Sequence, residues 1–202
     1  KYQKPLLVTV LIIILVVAGF LSVRHFYFQP REVKAQAAMY KGEIYFAKDS
    51  FELALKGNGA DFVGFEAIAD DYSSTKAGNL AAAYAGICYY NLGKDAEALA
   101  YLKKFDGDDA FLSPNIEAMI GNCYANMDQY DDAIKAFEKA AKKADNEMAS
   151  PIFLQKAATV AEKMGNYKKA LDFYQKIKDE YSQSMIGRDI DKYIERAKAH
   201  VK

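Results

Sequence analysis

The chain has 202 residues with 27 Lys+Arg against 27 Asp+Glu, and Lys1, Lys4, Arg24, Arg31 and Lys34 all flank one apolar stretch, leaving the remainder mildly acidic. A mildly acidic domain is a poor partner for nucleic acid, so no nucleic acid is expected. Cys88 and Cys123 form no CxxC pair and His25 and His200 stand at opposite ends of the chain, so neither a metal site nor a cofactor is expected.

From Pro5 to Val23 the sequence PLLVTVLIIILVVAGFLSV carries no charge. About 19 residues at roughly 1.5 Å each give close to 30 Å of helix, the thickness of a bilayer core. Ala18-Gly19-Phe20 and Leu21-Ser22-Val23 fit the small-x-small pattern of a cleaved signal poorly, so the expectation is a retained anchor in contact with the lipid bilayer. No cysteine directly follows the run, which speaks against a lipoprotein anchor. The His25-Phe26-Tyr27-Phe28 cluster, with Arg31 and Lys34 after it, suits the headgroup interface. The two flanks are about equally basic and give no orientation; residues upstream of Lys1 would enter that count. Residues 1–30 are thus read as anchor and interfacial flank, with Pro30 as the only break before a long first helix.

After residue 34, alanine, lysine, glutamate, leucine and tyrosine dominate and the alternation that marks strands is missing, so the fold class is all-α. A divergent hairpin is expected over about 31–75: a long helix ended by a turn at Gly57-Asn58-Gly59, then a helix from Phe62 to Tyr72 with Phe65 and Ile68 facing inward.

Beyond it the same punctuation recurs. Gly86 and Gly121, Cys88 and Cys123, Tyr89 and Tyr124, and Ala98 and Ala133 each lie 35 apart; Ala133 to Ala170 is 37. Phe65, Leu102, Phe137 and Tyr174 follow at steps of 37, 35 and 37, and Ser113-Pro114 returns 37 later as Ser150-Pro151. A fixed period of this size means stacked helical hairpins. The units fall at about 77–110, 114–146 and 151–182, with breaks at Leu92-Gly93-Lys94, Met127-Asp128-Gln129 and Gly165-Asn166. Serine as N-cap and proline at the first helical position start two of the helices. Gly86, Gly121 and Ala158 on the first helices, and Ala98, Ala133 and Ala170 on the second, let the backbones approach, while Leu102, Phe137 and Tyr174 fill the wedge to the next unit. After Ser184, Ile190, Tyr193, Ile194 and Ala197 make one apolar stripe, a capping helix over about 184–201. Equivalent first-helix positions lie about a helix diameter apart, near 10 Å, so Cys88 and Cys123 are read as buried thiols rather than a disulfide.

Gly121 to Tyr124, then Tyr130, Ala133, Phe137 and Ala140, resemble the signature of tetratricopeptide repeats. Departures stand at Phe105, where that family prefers a small residue, at Ala161, where it prefers Tyr, and at Asp61, where alanine is expected. The resemblance implies an α-solenoid of such hairpins over 31–202. It also implies an inner surface that presents first-helix side chains to a bound protein segment: Ala83, Ile87, Tyr90 and Asn91, then Ala118, Asn122 and Asn126, then Gln155, Thr159 and Glu162. The lysine/asparagine set by which some relatives hold carboxylates is matched only at Asn122.

An enzyme needs convergent polar groups. Asp70-Asp71, Asp108-Asp109 and Asp131-Asp132 fall at helix ends or turns, where acidic residues favour the helix dipole or stay solvated. Gly57-Asn58-Gly59 lacks the lysine and hydroxyl of a phosphate loop. The chain is therefore expected not to be an enzyme.

One span, a helix running directly out of it, and a divergent hairpin ending in FEAIADDYSSTKAGNLAAAYAGICYY before the repeats give a layout similar to the YfgM-type ancillary subunits of the bacterial Sec translocon. That resemblance implies a single-pass protein of the bacterial inner membrane, its repeats in the periplasm, partnering the SecYEG channel and a PpiD-like membrane-anchored chaperone. The alternative is an anchored adaptor that assembles another envelope complex without touching nascent chains.

Overall fold

Helix α1 (Gln3–Val23) continues without a gap through a π-helical segment, Arg24–Phe28, into α2 (Gln29–Phe46). The computed structural model describes the backbone of residues 3–201 and the side chains of 8–201; the flanking charges Lys1 and Lys4, and the side chains that open the apolar run, lie outside the described residues. Pro30 does not break the helix. The Gln29 N–H bonds to the Arg24 carbonyl, five residues back, so the chain is already wound one residue wider where the proline ring needs room. Among the described residues one helix is long and apolar enough to cross a membrane, and the residues of its apolar window are exposed.

The chain divides into two compact units, Lys1–Ala82 and Ala83–Lys202. In the first, α2 ends earlier than the sequence suggests. The turn follows Phe46, with Asp49 left-handed at φ 54°, and Gly57 instead closes a separate short helix, α3 (Phe51–Lys56). Helix α4 (Phe65–Asp71) begins three residues later than expected, while Phe65 and Ile68 are fully buried as read. A Cβ on Gly42 would lie 2.7 Å from the Phe65 ring, so these two residues make the close contact of a helical hairpin. Asp61 is turned outward to Lys41 and to the Asn58 amide.

In the second unit the hairpins are regular. Helix α5 (Lys76–Asn91) enters it; α6 (Asp95–Leu102), α7 (Leu112–Asn126), α8 (Tyr130–Ala144), α9 (Ser150–Lys163) and α10 (Tyr167–Glu180) follow. Gly93, Asp128 and Gly165 occupy one left-handed slot in successive turns, at φ 71°, 60° and 74°. A Cβ on Gly86 would meet Leu102 at 2.6 Å and one on Gly121 would meet Phe137 at 2.7 Å, both 16 residues on. Ala158 and Tyr174 hold the same offset, each wholly buried. Gly42 and Phe65 are 23 apart, so the first hairpin keeps this contact and carries seven extra residues, which the α3 segment accommodates. Helix α6 stops at Leu102, so Phe105, which departs from the repeat pattern, lies beyond it in the non-helical stretch that contains Gly107 and Asp108.

The serines do not cap as expected. Ser113 and Ser150 are buried inside the first turn, and the caps stand four residues upstream at Asp109 and Asn146. Asp109 accepts from the N–H groups of Phe111, Leu112 and Ser113 and from the Ser113 hydroxyl. Asn146 accepts from Met148 and Ala149, and the Ser150 hydroxyl donates to the Ala141 carbonyl at 2.9 Å, tying the turn to α8.

The terminal cap is two helices, α11 (Met185–Arg188) and α12 (Asp191–His200), with Ile190, Ile194 and Ala197 buried. It begins as α5 begins. Thr75 donates to the Tyr72 carbonyl (2.7 Å) and accepts from Gly78, and Ser184 does the same with Tyr181 and Gly187. Both glycines are required, because a Cβ would run into the tyrosine carbonyl. His200 stacks on Tyr167, ring centroids 4.4 Å apart, and fastens the end of α12 to the start of α10.

Candidate protein-binding surface

The first helices α7 and α9 face each other across an open groove of about 320 Å³. It is lined by Asn122 and Ala125 from α7, Phe137 from α8, and Ile152, Gln155, Lys156, Thr159 and Val160 from α9. Three of the residues expected at the inner surface, Asn122, Gln155 and Thr159, therefore meet in one depression. Ile152, Gln155 or Lys156, and Thr159 recur at three and four residues, so they share one helix face. Ile152 is 43% exposed, an apolar side chain without cover.

Lys156 gives the groove its charge. Its ammonium donates to Asn122 Oδ1 at 3.0 Å and lies 5.6 Å from the centroid of the Phe137 ring. No carboxylate pairs with it among the described residues. Burial pushes its pKa below the usual lysine value, because the charged form loses hydration with no counterion to replace it. Asn122 is thereby oriented by the protein itself, with its amide oxygen turned to the lysine.

The other expected residues behave differently. Ala83 and Ala118 are buried and offer no surface, since their small side chains lie where helices pack. Glu162 is turned inward to the cap: Arg196 donates to its Oε2 at 2.7 Å, and its side chain is only 16% exposed. Tyr174 lies beside that pair, its phenol pushed up to about 12 by burial first and by the Glu162 charge second. Asn126 donates to Asp95 Oδ1 at 3.0 Å. Tyr90 is half-buried beside them, its pKa raised by burial and then by Cys123 and Asp95. Ile87 is half-buried, and Asn91 donates back to the Ile87 carbonyl of its own helix.

Cys88 and Cys123 are free and fully buried, each thiol pushed up to about 12 chiefly by burial, so neither is a nucleophile at neutral pH. One member of each aspartate pair has a structural contact. Asp109 is a cap, Asp132 pairs with Lys135 at 3.0 Å, and the Asp71 carbonyl accepts from Arg31. No group of three metal-binding side chains occurs among the described residues.

Sequence reasoning missed Ala125, Phe137, Ile152, Lys156 and Val160 as groove residues. The signal was present, because Ile152 and Lys156 continue the face that Gln155 and Thr159 mark at helical spacing.

Comparison with known families matches the tetratricopeptide repeat at residues 118–147, which covers the C-terminal part of α7 and all of α8, and again at 84–106 and 154–184. No curated protein matches the chain. The matched stretches together make up less than half of the chain, and their similarity is to a repeat that serves as a protein–protein interaction scaffold.

Proposed function

We propose that the chain is a membrane-anchored scaffold of the bacterial envelope, an ancillary or chaperone-like subunit of the Sec machinery, whose α7–α9 groove takes an extended segment of a partner protein. The observation that carries the binding part is Lys156 without a counterion, beside exposed Ile152 and the free amide of Gln155. A segment presenting an acidic side chain next to an apolar one supplies both missing contacts, and Gln155 can bond its backbone. The uninterrupted apolar helix α1 supports the anchor, with the repeats exported to the periplasm. The layout of span, divergent hairpin and repeats supports SecYEG and a PpiD-like chaperone as partners.

The test is a photo-cross-linking residue at Thr159, which is exposed at the rim of the groove, in cells whose repeats have been assigned a compartment by protease protection of spheroplasts. Cross-links to translocon components, the chaperone or newly exported chains are the expected products. Cross-links to a fixed envelope complex and none of these would favour the adaptor reading. Repeats protected inside the spheroplast would overturn the translocon reading altogether.

A further inference from the structure

We infer that the pocket where the apolar helix meets the first hairpin, lined by Arg24, Gln29, Glu32, Ser74, Thr75 and Lys76 with Phe28 and Gln36, binds the phosphate of an anionic phospholipid headgroup. The cavity is about 340 Å³ and lies wholly within the first unit. The inference rests on reading α1 as a membrane span. Given that span, the six residues Arg24–Gln29 rise about 9 Å at 1.5 Å each. The headgroup layer is roughly 5–8 Å deep on each side of the hydrocarbon core, so Arg24 and Phe28 stand within it and Gln29 lies at its outer edge.

The pocket carries a net positive charge, two cations to one carboxylate. Its carboxylate, Glu32, is already engaged by three donors: the N–H groups of Lys76 (2.7 Å) and Ala77 (3.2 Å) and the Gln36 amide (2.9 Å). That leaves its charge turned to the start of α5. Arg24 and Lys76 have no acidic partner among the described residues, and the Ser74 hydroxyl is unengaged. Two cations and a hydroxyl around one cavity match the oxygens of a phosphate monoanion and disfavour a headgroup that carries its own cation, as choline does.

The walls are also fixed in place. Arg31 donates to the Asp71 carbonyl and sits between the Tyr27 and Tyr72 rings, its guanidinium carbon 5.4 and 5.3 Å from their centroids. This clamp joins the helix leaving the membrane to the segment that carries Ser74, Thr75 and Lys76. Arg31 is thus committed to structure, and Arg24 and Lys76 remain for a ligand. A membrane-facing site of this kind takes a lipid, because lipid phosphate is the anion present there at high local concentration.

The experiment uses the full chain in nanodiscs of mixed phosphatidylglycerol and phosphatidylcholine, with native mass spectrometry counting the lipids that stay bound. Phosphatidylglycerol should be enriched over the bulk ratio. Arg24→Gln and Lys76→Gln should each lower that enrichment by about fivefold, from about one contact's worth of surface electrostatics per cation. Lys34→Gln, exposed and outside the pocket, should leave it unchanged, and the thermal transitions of all three variants should match the parent. Retention of the two lipids in bulk proportion by an inserted chain would overturn the headgroup site while leaving the anchor intact. Equal displacement by inorganic phosphate would overturn it in favour of a soluble anion. A chain that does not enter the bilayer would overturn both the anchor and this site.

Discussion

Gly121 on α7 lies against the Phe137 ring on α8, so close that a Cβ there would stand 2.7 Å from the ring edge. Phe137 is 2% exposed, so even Gly121→Ala must displace the packed ring or part the two helices. The expected cost is about 1–3 kcal/mol, and more for Gly121→Leu. Pairing Gly121→Ala with Phe137→Leu should recover part of it, which a double-mutant cycle of urea midpoints measures. An unchanged midpoint in Gly121→Leu would mean that the two helices do not meet there.

Asp109 and Asn146 cap equivalent helix starts with different chemistry, and pH separates them. Removing either by alanine should cost about 0.5–2 kcal/mol. Burial would raise the Asp109 pKa, but the N–H groups of Leu112 and Phe111 and the Ser113 hydroxyl outweigh it and hold the carboxyl below its usual range. A carboxyl lowered on folding adds stability above its unfolded pKa, near 3.9 (~4), and loses it as pH falls through the lowered value. The difference between parent and Asp109→Ala should therefore shrink on acidification below about pH 4. The difference for Asn146→Ala should stay constant over the same titration.

The terminal cap holds the last hairpin closed. Ile190, Ile194 and Ala197 are buried in the core cluster that contains Tyr174 and Ile177. Ile194→Ala should cost about 2–5 kcal/mol. Removal of everything after Ser184 should lower the melting temperature and promote self-association through the uncovered face. A truncated chain that melts like the parent and stays monomeric would show that this face is covered by something else.

The regular part of the fold was legible because its determinants are local and repeat. Gly86, Gly121 and Ala158, the turn slot of Gly93, Asp128 and Gly165, and the large residues Leu102, Phe137 and Tyr174 all recur at the helical-hairpin period. The first hairpin was legible only in outline, since seven extra residues move Gly42 out of step with Phe65 and hide a contact that the offsets would otherwise reveal. The Ser-Pro pairs misled because a buried serine in the first turn and a capping serine look alike in sequence. Four of the ten expected binding residues also needed the structure to be judged. Ala83 and Ala118 are buried by packing, Asn126 is held by Asp95, and Glu162 is claimed by Arg196 of a helix outside the repeat period.

Lys156 distinguishes a binding residue from a structural one. Its charge is desolvated without a carboxylate, so in the free protein it opposes folding, and Lys156→Met should hold or raise the urea midpoint. The same change should abolish Thr159 cross-linking if partners dock through an acidic group. Loss of stability together with cross-linking would identify Lys156 as a packing residue and remove the charge argument for the groove.

If α1 is the proposed anchor, it should contribute to partner recognition beyond tethering, because the helix leaves the apolar stretch with no flexible linker. The π-helical turn Arg24–Phe28 absorbs Pro30 without a break, and the Arg31 clamp fixes the first hairpin to that same helix. A Gly/Ser tether would let the first hairpin roam, whereas a continuous helix, with α1 read as a membrane span, restricts that hairpin's height above the bilayer and its orientation. Exchanging residues 5–23 for an unrelated apolar helix of equal length preserves height and clamp but removes the native lipid-facing side chains. Co-purification with translocon subunits in mild detergent should then fall at least severalfold, while the thermal transition of the repeats stays in place. Full retention would assign all of the binding to the repeats, and failure of the parent chain to recover any translocon component would turn the assignment toward another envelope complex.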